Sequence, residues 1–240
     1  MSEADERAPR RRQARGERRI TQLLQAAATV FCTAGYTASS TNAIAREAGV
    51  SPGTLYQFFP NKEAIAVELS GQLLQEMEAT YGQVFTPENA RLPLDRLIDA
   101  VTDPFIEFNK SNPVFLALIK GPDTPGKLAE DHDVLHRSMV DSVIELLAVR
   151  SPSMSPAERA LVAQMCFTQF KAGLDLVVQQ EGEAREPYVR ELKSLLYRYL
   201  APLVGTEAVP EAGGGDQSQE QQDRGKQQAK AAPGASLGAH

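Results

Sequence analysis

Tryptophan is absent from this 240-residue chain, and aromatic side chains make up only 6% of it. Cysteine is nearly absent too. Cys32 and Cys166 are far apart in apolar helical surroundings, which excludes a disulfide framework and predicts two buried thiols in a reducing compartment. No unbroken apolar run reaches membrane-spanning length, so no membrane association is expected. The N-terminus lacks the apolar core of a secretory signal, and the expected location is cytoplasmic. Alternating apolar runs bounded by turn residues are missing, and so is any internal repeat. What remains is an all-α expectation.

Positive charge is in deficit overall, with 25 basic against 31 acidic residues and a net charge of −6. That balance alone argues against a polyanion partner, but its distribution does not. Residues 1–66 carry nine basic and six acidic side chains, and the rest of the chain carries 16 and 25. A basic head on an acidic body can bind nucleic acid locally. Arg7, Arg10, Arg11, Arg12, Arg15, Arg18 and Arg19 crowd the extreme N-terminus.

Four regions follow from composition and periodicity. Residues 1–16 are charged without an apolar period and are expected as a disordered basic arm. Residues 17–66 hold short helices, residues 67–205 hold longer ones, and residues 206–240 are rich in Gly, Gln and Ala and are expected as a disordered tail. The first helix repeats Ile20, Leu23, Leu24, Ala27 and Phe31 at helical spacing and stops at Gly35. Short helices are expected from Ser40 to Gly49 and from Ser51 to Phe59. A fourth follows Asn61, a linker lies between Pro87 and Pro93, and further helices are expected near 94–110, 113–120, 125–149, 156–181 and 186–203.

The stretch Gly49-Val50-Ser51-Pro52 joins two short helices by a very tight turn. Gly suits the left-handed position that ends a helix, Ser the N-cap and Pro the first helical position. This is a helix-turn-helix pattern. In the second of its helices, Leu55, Phe58 and Phe59 share the inner side. Pro52, Gly53, Thr54, Tyr56 and Gln57 are left outside, where such a helix meets base edges in the major groove. Lys62, at the start of the following helix, opposes the helix dipole unless a phosphate sits there.

Residues 26–65, AAATVFCTAGYTASSTNAIAREAGVSPGTLYQFFPNKEAI, resemble the DNA-binding domain of the TetR family of transcriptional regulators. The pattern is an Ala-Ala, Phe and Gly-Tyr helix, a Thr/Ser pair, Ile-Ala with Ala-Gly-Val-Ser, then Gly-x-Leu-Tyr-x-His-Phe-x-x-Lys-Glu. The resemblance implies that Ser40, Thr41 and Asn42 touch double-stranded DNA from the second helix. It likewise places Thr54, Tyr56, Gln57 and Lys62 at recognition-helix and phosphate positions, and Ser51, Pro52 and Gly53, which open that helix, complete the expected DNA-binding set. Phe58 stands where the pattern has His, so that phosphate contact is expected to be lost. The resemblance also implies a helical C-terminal domain that dimerises through its last two long helices and binds a small-molecule effector.

The body of the chain agrees with this. Residues 156–203 hold two helices with broad apolar surfaces, suited to a four-helix homodimer interface. Simple core packing explains them as well. Asp103-Pro104 falls inside a helical run and predicts a kink. Phe105, Phe108, Phe115, His132, Met139, Phe170 and Asp175 are the candidate effector-binding residues, with plain core packing as the open alternative. His132 and His136 are four residues apart, as in a metal chelate, but no third ligand is identifiable, so no metal and no cofactor is expected.

The functional expectation is a ligand-responsive dimeric repressor on a palindromic operator. An activator of the same fold, a helix-turn-helix that docks protein, and a helical metal-dependent enzyme are the competing readings. No nucleophilic triad or phosphate loop supports the enzyme.

Overall fold

A computed structural model describes residues 3–119 and 126–210, with side chains from Ala14 onward. Among these residues there are ten α-helices and no strand. The N-terminal set is α1 (Glu3–Ala34), α2 (Thr41–Glu47), α3 (Pro52–Tyr56) and α4 (Lys62–Val84). Beyond it come α5 (Pro87–Ala90), α6 (Leu94–Ser111), α7 (Pro113–Ile119), α8 (Gly126–Arg150), α9 (Pro156–Val178) and α10 (Arg185–Val204).

The caps are those the sequence implies. The side chains of Ser40, Ser51 and Asn61 accept the N–H of Ala43, Thr54 and Ala64 at the starts of α2, α3 and α4. Gly35 and Gly49 have φ of 76° and 65°, the left-handed region that glycine enters without strain. Helix α3 ends at Tyr56, short of the expected Phe59, although the Phe58 and Phe59 N–H groups still bond the Leu55 carbonyl at 3.0 Å. Pro60 disfavours helical backbone at Phe59, which ends the helix early. The expected 87–93 linker contains one helical turn, α5, because Thr86 caps Asn89 N–H at 3.2 Å.

Two expectations about the termini change. Helix α1 begins at Glu3, so residues 3–16 extend it where a disordered arm was expected. Missing apolar residues remove packing, but Glu, Ala, Arg and Gln remain strong helix formers. Residues 211–240 of the expected tail lie outside the described residues. Its first residues are tied down: Leu94 N–H donates to the Thr206 carbonyl, and Val209 N–H to the Arg91 carbonyl, both at 2.9 Å. The buried Arg150 guanidinium donates to the carbonyls of Ala90, Leu92, Gly205 and Glu207. Backbone carbonyls carry no sequence signal, so composition alone misassigns this segment.

One apolar core runs through α1–α4 and on to α6–α8, and a second lies among α6, α8, α9 and α10. Helix α4 passes through residues 66 and 67, the expected domain boundary, without interruption. Pro104 sits inside α6, which continues past it to Ser111. Helix α9 is long and apolar enough to cross a membrane by length and composition, contrary to the sequence reading. One face of it packs against α6, α8 and α10, and Leu161, Met165 and Leu176 on the rest stay exposed in the single chain.

Candidate DNA interface and ligand cavity

The turn between α2 and α3 is locked by a Schellman pair. Val50 N–H bonds the Ala45 carbonyl at 2.9 Å, and Gly49 N–H bonds the Arg46 carbonyl at 3.1 Å. Beneath it, Phe31, Ile44, Leu55 and Ile65 are fully buried and join α1, α2, α3 and α4. This core aims the polar side of α3 outward. Ser51, Pro52, Gly53, Tyr56 and Gln57 are exposed, with Thr54 half-buried beside them. Ser40 and Asn42 are exposed and Thr41 half-buried at the start of α2, on the same side.

These residues are already organised. The Tyr56 and Thr41 hydroxyls share a 3.0 Å hydrogen bond between α3 and α2, and the Ser51 and Thr54 hydroxyls share one at 2.9 Å. Lys62 is neither a solvated cation nor held for a phosphate alone. Its Nζ donates to the carbonyls of Tyr36 and Thr37 at 2.8 and 3.0 Å and lies 4.5 Å from the centre of the Tyr36 ring. A lysine at a helix start thus ties α4 to the α1–α2 turn, with one donor hydrogen to spare. Phe58 packs against the core, as its replacement of a polar residue implied.

The second feature is a cavity in two lobes between α6, α8 and α9. Phe105, Met139, Phe167 and Phe170 line both lobes. The inner lobe, of about 100 Å³, is otherwise walled by residues such as Phe85, Val101, Val143, Leu146, Cys166 and Leu196. Thr102 lies there too, but its hydroxyl is spent on the Ile98 carbonyl at 2.7 Å. The outer lobe, of about 340 Å³, adds Phe115, Asn109, His132, Asp133, His136, Lys171 and Asp175. Of the seven candidate effector residues, Phe105, Phe115, His132, Met139, Phe170 and Asp175 line the outer lobe. Phe108 lines neither lobe. It packs edge-on behind Phe115 at 5.4 Å, so its aromaticity is structural.

Sequence reasoning missed Phe85, Cys166 and Phe167 as wall residues. Phe167 lies one turn before Phe170, a helical spacing that was available. Phe85 comes from the end of α4, and only tertiary packing brings it to α6, where it meets Phe105 at 6.3 Å. One residue-turn earlier, the Tyr81 hydroxyl donates to the Ser138 carbonyl at 2.8 Å and also meets the Ser142 hydroxyl, both on α8.

The histidine pair is close, with ring centres 4.0 Å apart, and is enclosed by Phe115 on one side and Phe167 on the other. Burial lowers the pKa of His132, with the Lys171 charge adding to the effect. Burial, then His132, then Lys171, bring His136 down to about 4. Both rings are therefore neutral near pH 7. The third donor that the sequence could not supply is Asp133, whose carboxylate lies within 4.8 Å of a donor nitrogen of each histidine.

A third surface lies on α9 and α10. Leu161, Met165 and Leu176 on α9 and Tyr188, Leu195 and Leu203 on α10 are exposed in the single chain. Their inner faces pack in the second core.

Comparison with known proteins places both halves of the chain. Residues 23–69 match the family model described as bacterial regulatory proteins, tetR family, and residues 93–200 match the tetracyclin repressor-like C-terminal domain. An uncharacterized HTH-type transcriptional regulator of Bacillus subtilis is 25% identical over 165 residues, which is 67% of this chain and 83% of that protein. The crystal structure of a TetR-like transcriptional regulator from Rhodococcus sp. RHA1 superposes with a TM-score of 0.61 at 20% identity, covering 76% of this chain and 96% of that one. The FadR regulator of Bacillus subtilis, solved in complex with stearoyl-CoA, has a TM-score of 0.51 at 20% identity, covering 77% and 98%.

Proposed function

Because this chain belongs to the TetR family of bacterial regulatory proteins, a class of DNA-binding transcriptional regulators, we propose that it is a homodimeric repressor released from a palindromic operator by a mostly apolar effector. Ser40, Thr41, Asn42, Ser51, Pro52, Gly53, Thr54, Tyr56, Gln57 and Lys62 form the operator-facing set. Seven of them are exposed and Thr41, Thr54 and Lys62 half-buried, and together they bring hydroxyl, amide and ammonium donors to the helix-turn-helix surface. The exposed apolar stripes of α9 and α10 pair with those of a second chain, which sets two recognition helices at half-site spacing.

The observation that carries this reading is the span of α4. Its first residue, Lys62, holds the α1–α2 turn, and its far end carries Tyr81 and, just beyond, Phe85 at the cavity wall. A ligand that fills the lobes presses on the same rigid element that positions the DNA-reading helices. It favours a conformer in which the two recognition helices no longer fit the operator.

The test is operator selection from random DNA, followed by anisotropy titration of that operator with long-chain acyl compounds, stearoyl-CoA first. Release by an apolar ligand, abolished in Met139→Trp while DNA binding persists, is the expected result. Operator binding indifferent to every apolar compound would remove the effector from the scheme. A transcription assay on the same operator separates repression from activation.

A further inference from the structure

His132 is a buried polar side chain that the repressor scheme does not use. It is only 8% exposed and lines the outer lobe of the cavity, yet its imidazole has no hydrogen-bond partner among the described residues. The His136 imidazole, tilted against it at 53°, has none either. Neither ring's nitrogens are among the sealed, unpartnered polar atoms, so they are reachable from the lobe and free to take an ion, a water or a ligand group. Four residues of α8 separate the two rings, which sets them one above the other on one face of the helix. Asp133 brings a carboxylate to the same point, so three donor atoms lie within 4.8 Å of one another and all three residues face the lobe.

We propose that His132, Asp133 and His136 bind a divalent transition-metal ion of the zinc, cobalt or nickel class, with its remaining coordination position open to the outer lobe. Two imidazoles and one carboxylate are an ordinary donor set for such ions, and three protein ligands with one open position is the pattern of an accessible site. A tetrahedral ion at about 2.0–2.1 Å from each donor holds them about 3.3 Å apart. Side-chain rotation of roughly 1 Å therefore closes the set. The other charged groups on the lobe are Lys171 and Asp175, both on α9. Lys171 opposes a cation, and the carboxylates of Asp133 and Asp175 offset it. Asn109, from α6, is also at the lobe, with its amide nitrogen donating to the Phe105 carbonyl at 2.9 Å. The open position makes the metal an anchor for a ligand oxygen or sulfur entering the cavity.

The experiment uses the full-length chain without an affinity tag, stripped with chelator and titrated with Co²⁺. Visible absorption and metal analysis after dialysis are the readouts, and Zn²⁺ is the competitor. One ion per chain, with the d–d bands of a site holding nitrogen ligands, is expected. Binding should weaken on the order of tenfold or more in His136→Gln and in Asp133→Asn, and remain unchanged in His240→Ala. His132→Asn adds the third ligand, with circular dichroism as the folding control. His136 is half-buried and Asp133 exposed, so those two variants read out even if the His132 variant unfolds. No bound ion in the wild-type chain, or undiminished binding in both His136→Gln and Asp133→Asn, overturns the site. Neither result bears on operator binding, which is measured separately.

Discussion

A methyl group placed on Gly173 would stand 2.4 Å from Cδ1 of Leu192 and 3.1 Å from its Cγ, so α9 and α10 meet in direct backbone-to-side-chain contact there. Alanine in a helix interior normally gains about 0.5–1 kcal/mol over glycine. Overpacking a filled site costs about 1–3 kcal/mol, and Leu192 is buried with little room to turn aside. Gly173→Ala is therefore expected to destabilise the fold. Urea denaturation at fixed protein concentration checks it, and a gain in stability would mean that Leu192 rotates freely.

Tyr56→Phe removes an exposed hydroxyl whose partner in the free protein is Thr41. Operator affinity is expected to fall by about 1–3 kcal/mol with an unchanged melting curve. Lys62→Ala should lower operator affinity by a similar amount and also cost stability. It leaves the Tyr36 and Thr37 carbonyls without their ammonium donor. Gel-shift titration beside thermal denaturation separates the two effects. Native operator affinity in both variants would dismiss the docking of α3 on DNA.

Leu161 and Leu176 are 65% and 52% exposed in the single chain, which is costly for two leucines on one helix if nothing covers them. Sedimentation at micromolar concentration is expected to give twice the chain mass. Replacing both with Glu should yield monomers that keep their helical content and lose operator affinity. A monomeric wild-type chain would remove the two-fold argument for the operator.

The two thiols should differ in reactivity. Burial pushes the Cys166 thiol from an ordinary 9.0 up to about 12, while Cys32 is exposed, with partial burial raising its pKa. A thiol-reactive dye at neutral pH is expected to label Cys32 alone, and Cys166 only on unfolding. The Cys166 contribution to stability is complete below its unfolded value near 9.0 and is lost as pH rises towards about 12. Equal native labelling of both would mean that the inner lobe opens freely.

Arg150 supplies donors to four carbonyls on two separate segments, residues 90–92 and 205–207. Arg150→Met keeps much of the side-chain volume and removes those donors. A loss of roughly 1–3 kcal/mol is expected, together with faster proteolysis near residue 205. Unaltered cleavage would show that Leu94 and Arg91 alone hold that segment.

The helix-turn-helix was legible in the sequence because its determinants are local. Ser40, Ser51 and Asn61 cap their own helices, and Gly49 takes a left-handed turn that a neighbouring side chain does not decide. The apolar spacing of Leu55 and Phe59 on α3 fixes which of its sides is left for DNA. What the sequence could not determine depends on atoms brought together from distant positions. Phe108 and Phe105 carry the same side chain three residues apart, yet packing sends one behind Phe115 and the other into the cavity. Lys62 was read from its helix dipole and its place in the family pattern, and neither signalled the carbonyls 25 and 26 residues earlier that it bonds. The cavity, the tethering of residues 205–209 and the convergence of Asp133 on the histidine pair are likewise decided by tertiary structure. Backbone carbonyls and side-chain rotamers are not encoded in residue type, and their positions are set only when the helices pack.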